Sequence, residues 1–229
     1  FNQAWVESPS STTARDGLGP LFNAQSCSSC HFKDGKGAPP LDNVAPFEGL
    51  LFRVGVPGSA GIEAHPVYGS QLQDGSNQGI PTEGVAKISW TEIERTYGDG
   101  TAYTLMKPSY TVDELNHGPI GDDTRLSPRI APHMIGLGLL EAIPEERLQE
   151  FADPNDEDGD GISGEIQRNM DGLVGRFGWK ADKPTIETQV AAALIGDMGL
   201  TSEIHMKDDC TEAQEDCLEA PNGGEPETT

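Results

Sequence analysis

Cys27-Ser28-Ser29-Cys30-His31 is the stretch from which the rest of the chain is read. Two thiols three positions apart, followed at once by an imidazole, have the spacing of a c-type haem attachment site. On one helical turn both cysteines can reach the vinyl groups of a porphyrin and form thioethers. The adjoining His31 can then ligate the iron as proximal ligand. Leu18, Leu21 and Phe22 precede it at i, i+3, i+4, an apolar face suited to a porphyrin edge. This spacing predicts a helix over Asp16–Phe32, ended by Gly35-Lys36-Gly37-Ala38-Pro39-Pro40. Two other readings compete. One is a zinc site completed by His205, Cys210 or Cys217, but a zinc knuckle needs a second closely spaced pair. The other is a redox dithiol, which needs a βαβ context that the surrounding pattern lacks.

Over 229 residues the chain carries 28 Gly and 17 Pro, and only 35% of its residues are hydrophobic. Such a composition predicts long loops around a modest core. The net charge of −23 argues against nucleic acid and anionic membrane surfaces as partners, and is compatible with a basic redox partner. The longest apolar runs, Met134–Leu140 and Val190–Ile195, are too short to span a bilayer. Phe1 is not preceded by a basic leader segment, so a mature or trimmed chain is expected. With Cys27 and Cys30 assigned to haem, Cys210 and Cys217 remain. They could close a short disulfide loop, worth about 2.5 kcal/mol in a chain-entropy model. Covalent haem and a disulfide both point to a periplasmic or extracellular location.

Along the chain, residues 1–16 read as a polar arm. Leu50–Val56, Val85–Trp90 and Thr101–Lys107 read as strands, forming a small antiparallel region over about 50–110. Ala131–Ala142, Glu145–Phe151 and a segment within 182–200 read as helices. In the last of these, Asp182 is a candidate cap and Ile186, Val190 and Leu194 form the buried face. Residues 201–229 read as an acidic tail, disordered toward its end. The fold class expected is mainly α: a cytochrome c-like haem domain over 17–200 with an inserted β region and long loops.

Asp153-Pro154-Asn155-Asp156-Glu157-Asp158-Gly159-Asp160-Gly161-Ile162 is the second chemical signal. Asp156, Asp158 and Asp160 match the first, third and fifth ligand positions of a calcium loop. Gly161 stands at the sharp turn and Ile162 at the carbonyl position. The twelfth position is Gln167 instead of a bidentate Glu, so this is not a standard EF-hand. Asp153 and Asn155 allow another register, and a solvated acidic turn is the plain alternative.

Several stretches together resemble the di-haem oxidoreductases, also labelled thiol oxidoreductases, relatives of bacterial di-haem cytochrome c peroxidases. They are Gly17–His31, Tyr68–Gln73, Ser127–Pro144 and Gly178–Lys180 through Gly196–Gly199, with Asp156–Gly164 and the Cys210/Cys217 pair in the same order. The resemblance implies a periplasmic or extracellular cytochrome c fold, a β insertion, a cysteine pair near residue 210 and a second haem domain. The sequence departs from it by holding a single Cys-x-x-Cys-His. A peroxidase-type reaction would therefore need a second haem domain or a redox partner protein, with peroxide or another small oxidant as substrate.

For the sixth iron position the candidates are His65, His117, His133, His205 and Met106, Met134, Met170, Met198 and Met206. His133 and Glu141 stand out. In the resembled peroxidases a distal segment carrying an acid faces the open iron position, and a carboxylate can move a proton between peroxide oxygens. Glu141 ends the apolar run Leu137-Gly138-Leu139-Leu140; pairing with Arg129 or capping the next turn is the structural alternative. Two other functions stay open: a single-haem electron carrier without a substrate site, and a calcium-stabilised assembly module with structural haem.

Overall fold

The computed structural model describes residues 1–12, 14–40, 43–59 and 61–228. The arm, loop and tail expectations at the five other positions lie outside the described residues. In chain order the elements are β1 (Leu21–Phe22), α1 (Cys27–Cys30), β2 (Leu50–Gly58), β3 (Gly61–Glu63), β4 (Gly75–Ser76), β5 (Val85–Thr96) and β6 (Ala102–Asp113). They continue with β7 (Arg125–Ile130), α2 (Leu137–Glu141), α3 (Glu145–Gln149), α4 (Ile186–Met198) and α5 (Glu215–Leu218).

The mainly α expectation is overturned. Helix makes up 15% of the chain and strand 26%, in several antiparallel sheets, so this is not a mainly α cytochrome c fold. The reasons are local. The anticipated Asp16–Phe32 helix shrinks to the four residues of α1, because Gly17, Gly19 and Pro20 precede the apolar pair Leu21–Phe22. That pair instead forms β1 against Gly75–Ser76. Leu18 and Leu21 are buried from extended chain, Leu18 against Met198 and Leu200; three apolar residues do not distinguish the two geometries. Likewise Ala131–Ala142 is helical only over α2, whose start is Gly136 in a left-handed conformation with no side-chain cap.

The core is built on β2. Leu50, Phe52 and Val54 alternate inward, and with Phe47, Tyr68, Leu72, Ala86 and Ile88 they form the main cluster. Strand β7 pairs antiparallel with β2, Leu50 opposite Ile130 through Gly55 opposite Arg125. The β5–β6 ribbon runs twelve pairs from Val85–Asp113 to Thr96–Ala102. It is longer than the two strands expected, because Thr91–Thr96 extends β5 rather than linking it. Its base, at Ala86 and Ile88, joins the core, and its outer half is largely exposed.

Helix α4 is the longest. Thr185 caps it, its hydroxyl accepting from the Thr188 N–H while the Thr188 hydroxyl answers the Thr185 N–H. The cap is thus Thr185, not Asp182. Gly199 ends the helix at φ 64°, left-handed. It lies so close to Gly19 that a Cβ on Gly19 would meet its backbone at 2.3 Å. The Gln71 amide then ties three segments together, donating to Asn23 Oδ1 at 2.8 Å, Gly196 O at 2.9 Å and Asp197 Oδ1 at 2.8 Å. The tail packs on the rest of the chain, including, up to Thr228, the end expected to be disordered. Gln214 is fully buried, and Thr228 N donates to Thr201 O at 3.1 Å. No helix among the described residues is long and apolar enough to cross a membrane.

Candidate haem site and acidic loop

Helix α1 presents Cys27 and Cys30 one turn apart, closed by His31 N donating to Cys27 O at 2.9 Å. Cys27 packs on the cluster of Leu18, Met198 and Leu200. Cys30 accepts a hydrogen bond from the Gly49 backbone. Burial pushes both thiols up from their ordinary pKa, with the nearby Asp197 carboxylate adding to it. Both are free cysteines, open to covalent attachment. Cys210 and Cys217 form a disulfide with each other. The pair is thus engaged elsewhere, and of the three residues that could complete a zinc site only His205 is left.

His31 Nδ1 lies 2.7 Å from the carbonyl oxygen of Pro132. A carbonyl only accepts, so Nδ1 carries the proton and Nε2 keeps its lone pair. That is the tautomer of a metal-binding imidazole braced by a backbone carbonyl. A second bond, Met134 N to Asp34 O at 3.0 Å, holds the same two segments together. On these segments Phe32, Ile135 and Leu139 are 71%, 73% and 79% exposed. Exposed apolar side chains on the two segments, together with two free thiols and a preset imidazole, suit a large apolar disc, so the residues fit a haem c.

The other candidate ligands fall into place around this. Both ring nitrogens of His65 are engaged, Nε2 with Ile120 O and Nδ1 with the N–H groups of Val67 and Tyr68. Met198 is buried beside Cys27, while Met106, Met170 and Met206 are exposed. The His117 ring packs edge-on against Tyr68, and His205 is half-buried beside Ser202. His133 is exposed and Met134 half-buried, next to Pro132. Glu141 does not pair with Arg129 among the described residues. Its Oε1 accepts the Ile186 N–H at 2.8 Å, at the start of α4. The carboxylate thus meets the positive end of that helix, a partner other than Arg129 or the next turn, the two alternatives that the sequence offered.

The acidic loop folds on itself. Asp156 accepts from Gly161 N at 3.1 Å, Asp158 from Asp160 N at 3.1 Å and Asp160 from Ile162 N at 2.8 Å. Asp153, Asp156 and Asp158 each offer a carboxylate oxygen within 4.8 Å of the others. The structure thus gathers Asp156 and Asp158 with Asp153, a set that follows neither register in full, and does not bring Asp160 into the cluster. Pro132 is the residue that sequence reasoning missed. It is 101 positions from His31 and carries no local signal of that contact.

A family described as "Di-haem oxidoreductase, putative peroxidase" matches residues 1–54 and 53–214. The chain belongs to this family. Membership carries an oxidoreductase, peroxidase-like character and a haem cofactor. Neither curated proteins nor solved structures yield a match. The di-haem oxidoreductase family is named for two haems, and this sequence has one Cys-x-x-Cys-His.

Proposed function

We propose that this chain is the haem c-bearing part of a periplasmic or extracellular di-haem peroxidase-type oxidoreductase, with Cys27 and Cys30 as thioether positions and His31 as proximal ligand. The observation that carries this reading is the Nδ1–H of His31 on Pro132 O, which leaves Nε2 free beside the two unbridged thiols. A bound haem supplies one-electron redox chemistry at a ligated iron. The chain's own contributions are different. The Pro132 carbonyl fixes the imidazole plane and tautomer, the thioethers hold the group when the iron changes state, and the apolar side chains of Phe32, Ile135 and Leu139 exclude water from it.

In this reading Glu141 and His133 serve the substrate side. Glu141 Oε1 is held by the α4 N-terminus, so the second carboxylate oxygen is the one available to carry a proton. The second haem comes from a partner domain or protein. Calcium belongs to the same reading, held by Asp153, Asp156 and Asp158, with the Ile162 carbonyl as the further ligand that the loop sequence suggests, as a brace between α3 and the segment leading to α4. Asp160 supports the loop through the Ile162 N–H rather than as a direct ligand.

Acid–acetone extraction tests the central assignment. Haem that stays with the protein, together with a mass gain of one haem lost on Cys27→Ala plus Cys30→Ala, is the expected result. Colour leaving with the solvent would overturn it.

A further inference from the structure

The outer half of β6 presents an open strand edge. In an antiparallel pair, alternate residues point their N–H and C=O at the partner strand and those between point away from it. Ala86 O accepts from Ala45 N and Ile88 N donates to Asn43 O, so the even-numbered residues of β5 face away from β6. The register sets even opposite even, Glu94 against Thr104 and Glu92 against Met106. Ala102, Thr104 and Met106 therefore send their N–H and C=O outward. Among the described residues β6 pairs with no strand but β5, and β5 is covered on its far side only at its base, around Val44.

The two outer edges differ. The exposed rungs of β5 carry Glu92, Glu94 and Arg95, charges of the kind that keep an edge from pairing. On β6 the run Ala102-Tyr103-Thr104-Leu105-Met106 has no charge and no proline, and Leu105 and Met106 are each 51% exposed. Such an edge is a template for another strand.

Charge and symmetry select that strand. Two copies of this chain repel, at −23 each, but between Trp90 and Pro108 three acids and two bases leave only −1. The ribbon is thus where two acidic copies can approach. The run is also self-complementary. With a two-fold axis at Thr104, Ala102 of each copy faces Met106 of the other, and all the outward N–H and C=O groups of the three residues are paired. A centre at Leu105 instead sets Ala102 against Pro108, which has no N–H. Around Thr104, Tyr103 lies opposite Leu105 of the second copy on one face, and Thr104 lies opposite Thr104 of the second copy on the other. No like charges stand opposite each other.

We propose that β6 pairs antiparallel with β6 of a second copy about Thr104, joining two ribbons into one sheet. A lone two-stranded ribbon is marginal in water, and the added strands relieve that. The pairing is isologous and closes at a dimer, with Glu92 and Glu94 guarding both outer edges of the joined sheet. It is independent of the haem assignment.

Sedimentation of the full chain as isolated, from micromolar to submillimolar concentration, should show a monomer–dimer equilibrium. Salt should strengthen it by screening the acidic bodies from each other. The amides of Ala102, Thr104 and Met106, which exchange as those of a free ribbon at dilution, should slow as concentration rises, while those of Glu92 and Glu94 stay unchanged. Thr104→Pro removes one outward N–H and should raise the dimer dissociation constant roughly tenfold or more. Glu94→Pro disturbs the same rung from the other edge and should leave the constant unchanged. A monomer at every concentration and salt would overturn the proposal and leave the edge to a strand of another protein. Association that weakens with salt, or a dimer whose β6 amides exchange as in the monomer, would also overturn it. Equal weakening by both prolines would overturn the β6 edge as the contact. Exchange on the parent chain decides even where a proline variant does not fold.

Discussion

His31 and Pro132 are joined by a 2.7 Å hydrogen bond across 101 residues, and the direction of that bond fixes which imidazole nitrogen faces outward. The brace comes from the residue after Ala131, whose own N–H donates to Gly49 O at 2.8 Å as β2 and β7 diverge. The sheet therefore positions the imidazole.

Replacing His31 by Ala should leave haem covalently attached through the cysteines while abolishing the native Soret spectrum of the folded protein. Added imidazole should restore a six-coordinate, low-spin spectrum. A native spectrum in the variant would show that another residue is the proximal ligand.

Glu141→Gln separates capping from proton transfer. The amide keeps an oxygen to accept the Ile186 N–H, so Tm should change little, whereas Glu141→Ala should lose about 1 kcal/mol, the usual value of a cap. In an assembly that includes the second haem, Glu141→Gln should slow peroxide turnover roughly 10²-fold. Equal turnover would return Glu141 to a purely structural role.

Chelation should lower the Tm of the parent chain, and Asp156→Asn with Asp158→Asn should remove that effect. An unchanged response to chelator in the double variant would exclude the loop as a metal site.

Stability should fall as pH rises through the neutral range in chelator-treated protein. Glu83 is 2% exposed and burial raises its carboxyl from 4.5 to about 8, against the opposing bonds from Gln73 N and Gln214 Nε2. Its folded pKa exceeds its unfolded one, so the folded state holds the extra proton between them. Stability from this group is full below about 4.5 and is lost as pH rises through about 8. Urea midpoints at pH 5 and pH 8 should differ in that direction, and Glu83→Gln should shrink the difference. A midpoint that rises with pH would contradict the assignment.

How much of this was legible from residues alone depends on the range of the interaction. Cys27, Cys30 and His31 lie within five positions, and the Asp156–Gly161 turn within six, so their local geometry is written in their spacing. The ordered succession from Gly17 to Cys217 was enough to find the family. The helix content was not legible. Leu18, Leu21 and Phe22 fit a helix as a pattern, but the glycines among them allow a strand that pairs with Gly75–Ser76, more than fifty residues away. Strand β7 was hidden for a related reason: Pro128 sits in its middle, and a proline inside a strand argues against the assignment unless the partner is known. Nor did Glu141 reveal its partner, since the Ile186 N–H is 45 positions away.

The β5–β6 ribbon has a kinetic consequence. Its base is clamped by Ala45 N to Ala86 O at 2.9 Å and Ile88 N to Asn43 O at 2.8 Å, while the rungs beyond Trp90 rest chiefly on each other. An isolated pair of strands is marginal in water. The ribbon should therefore open from its tip inward, like a zip, without disturbing β2. Amide exchange along it should slow rung by rung, fast near Thr96 and Ala102 and approaching the global rate at Ala86 and Ile88. Twelve rungs would then give a built-in ruler on which the cooperativity of the core can be read residue by residue.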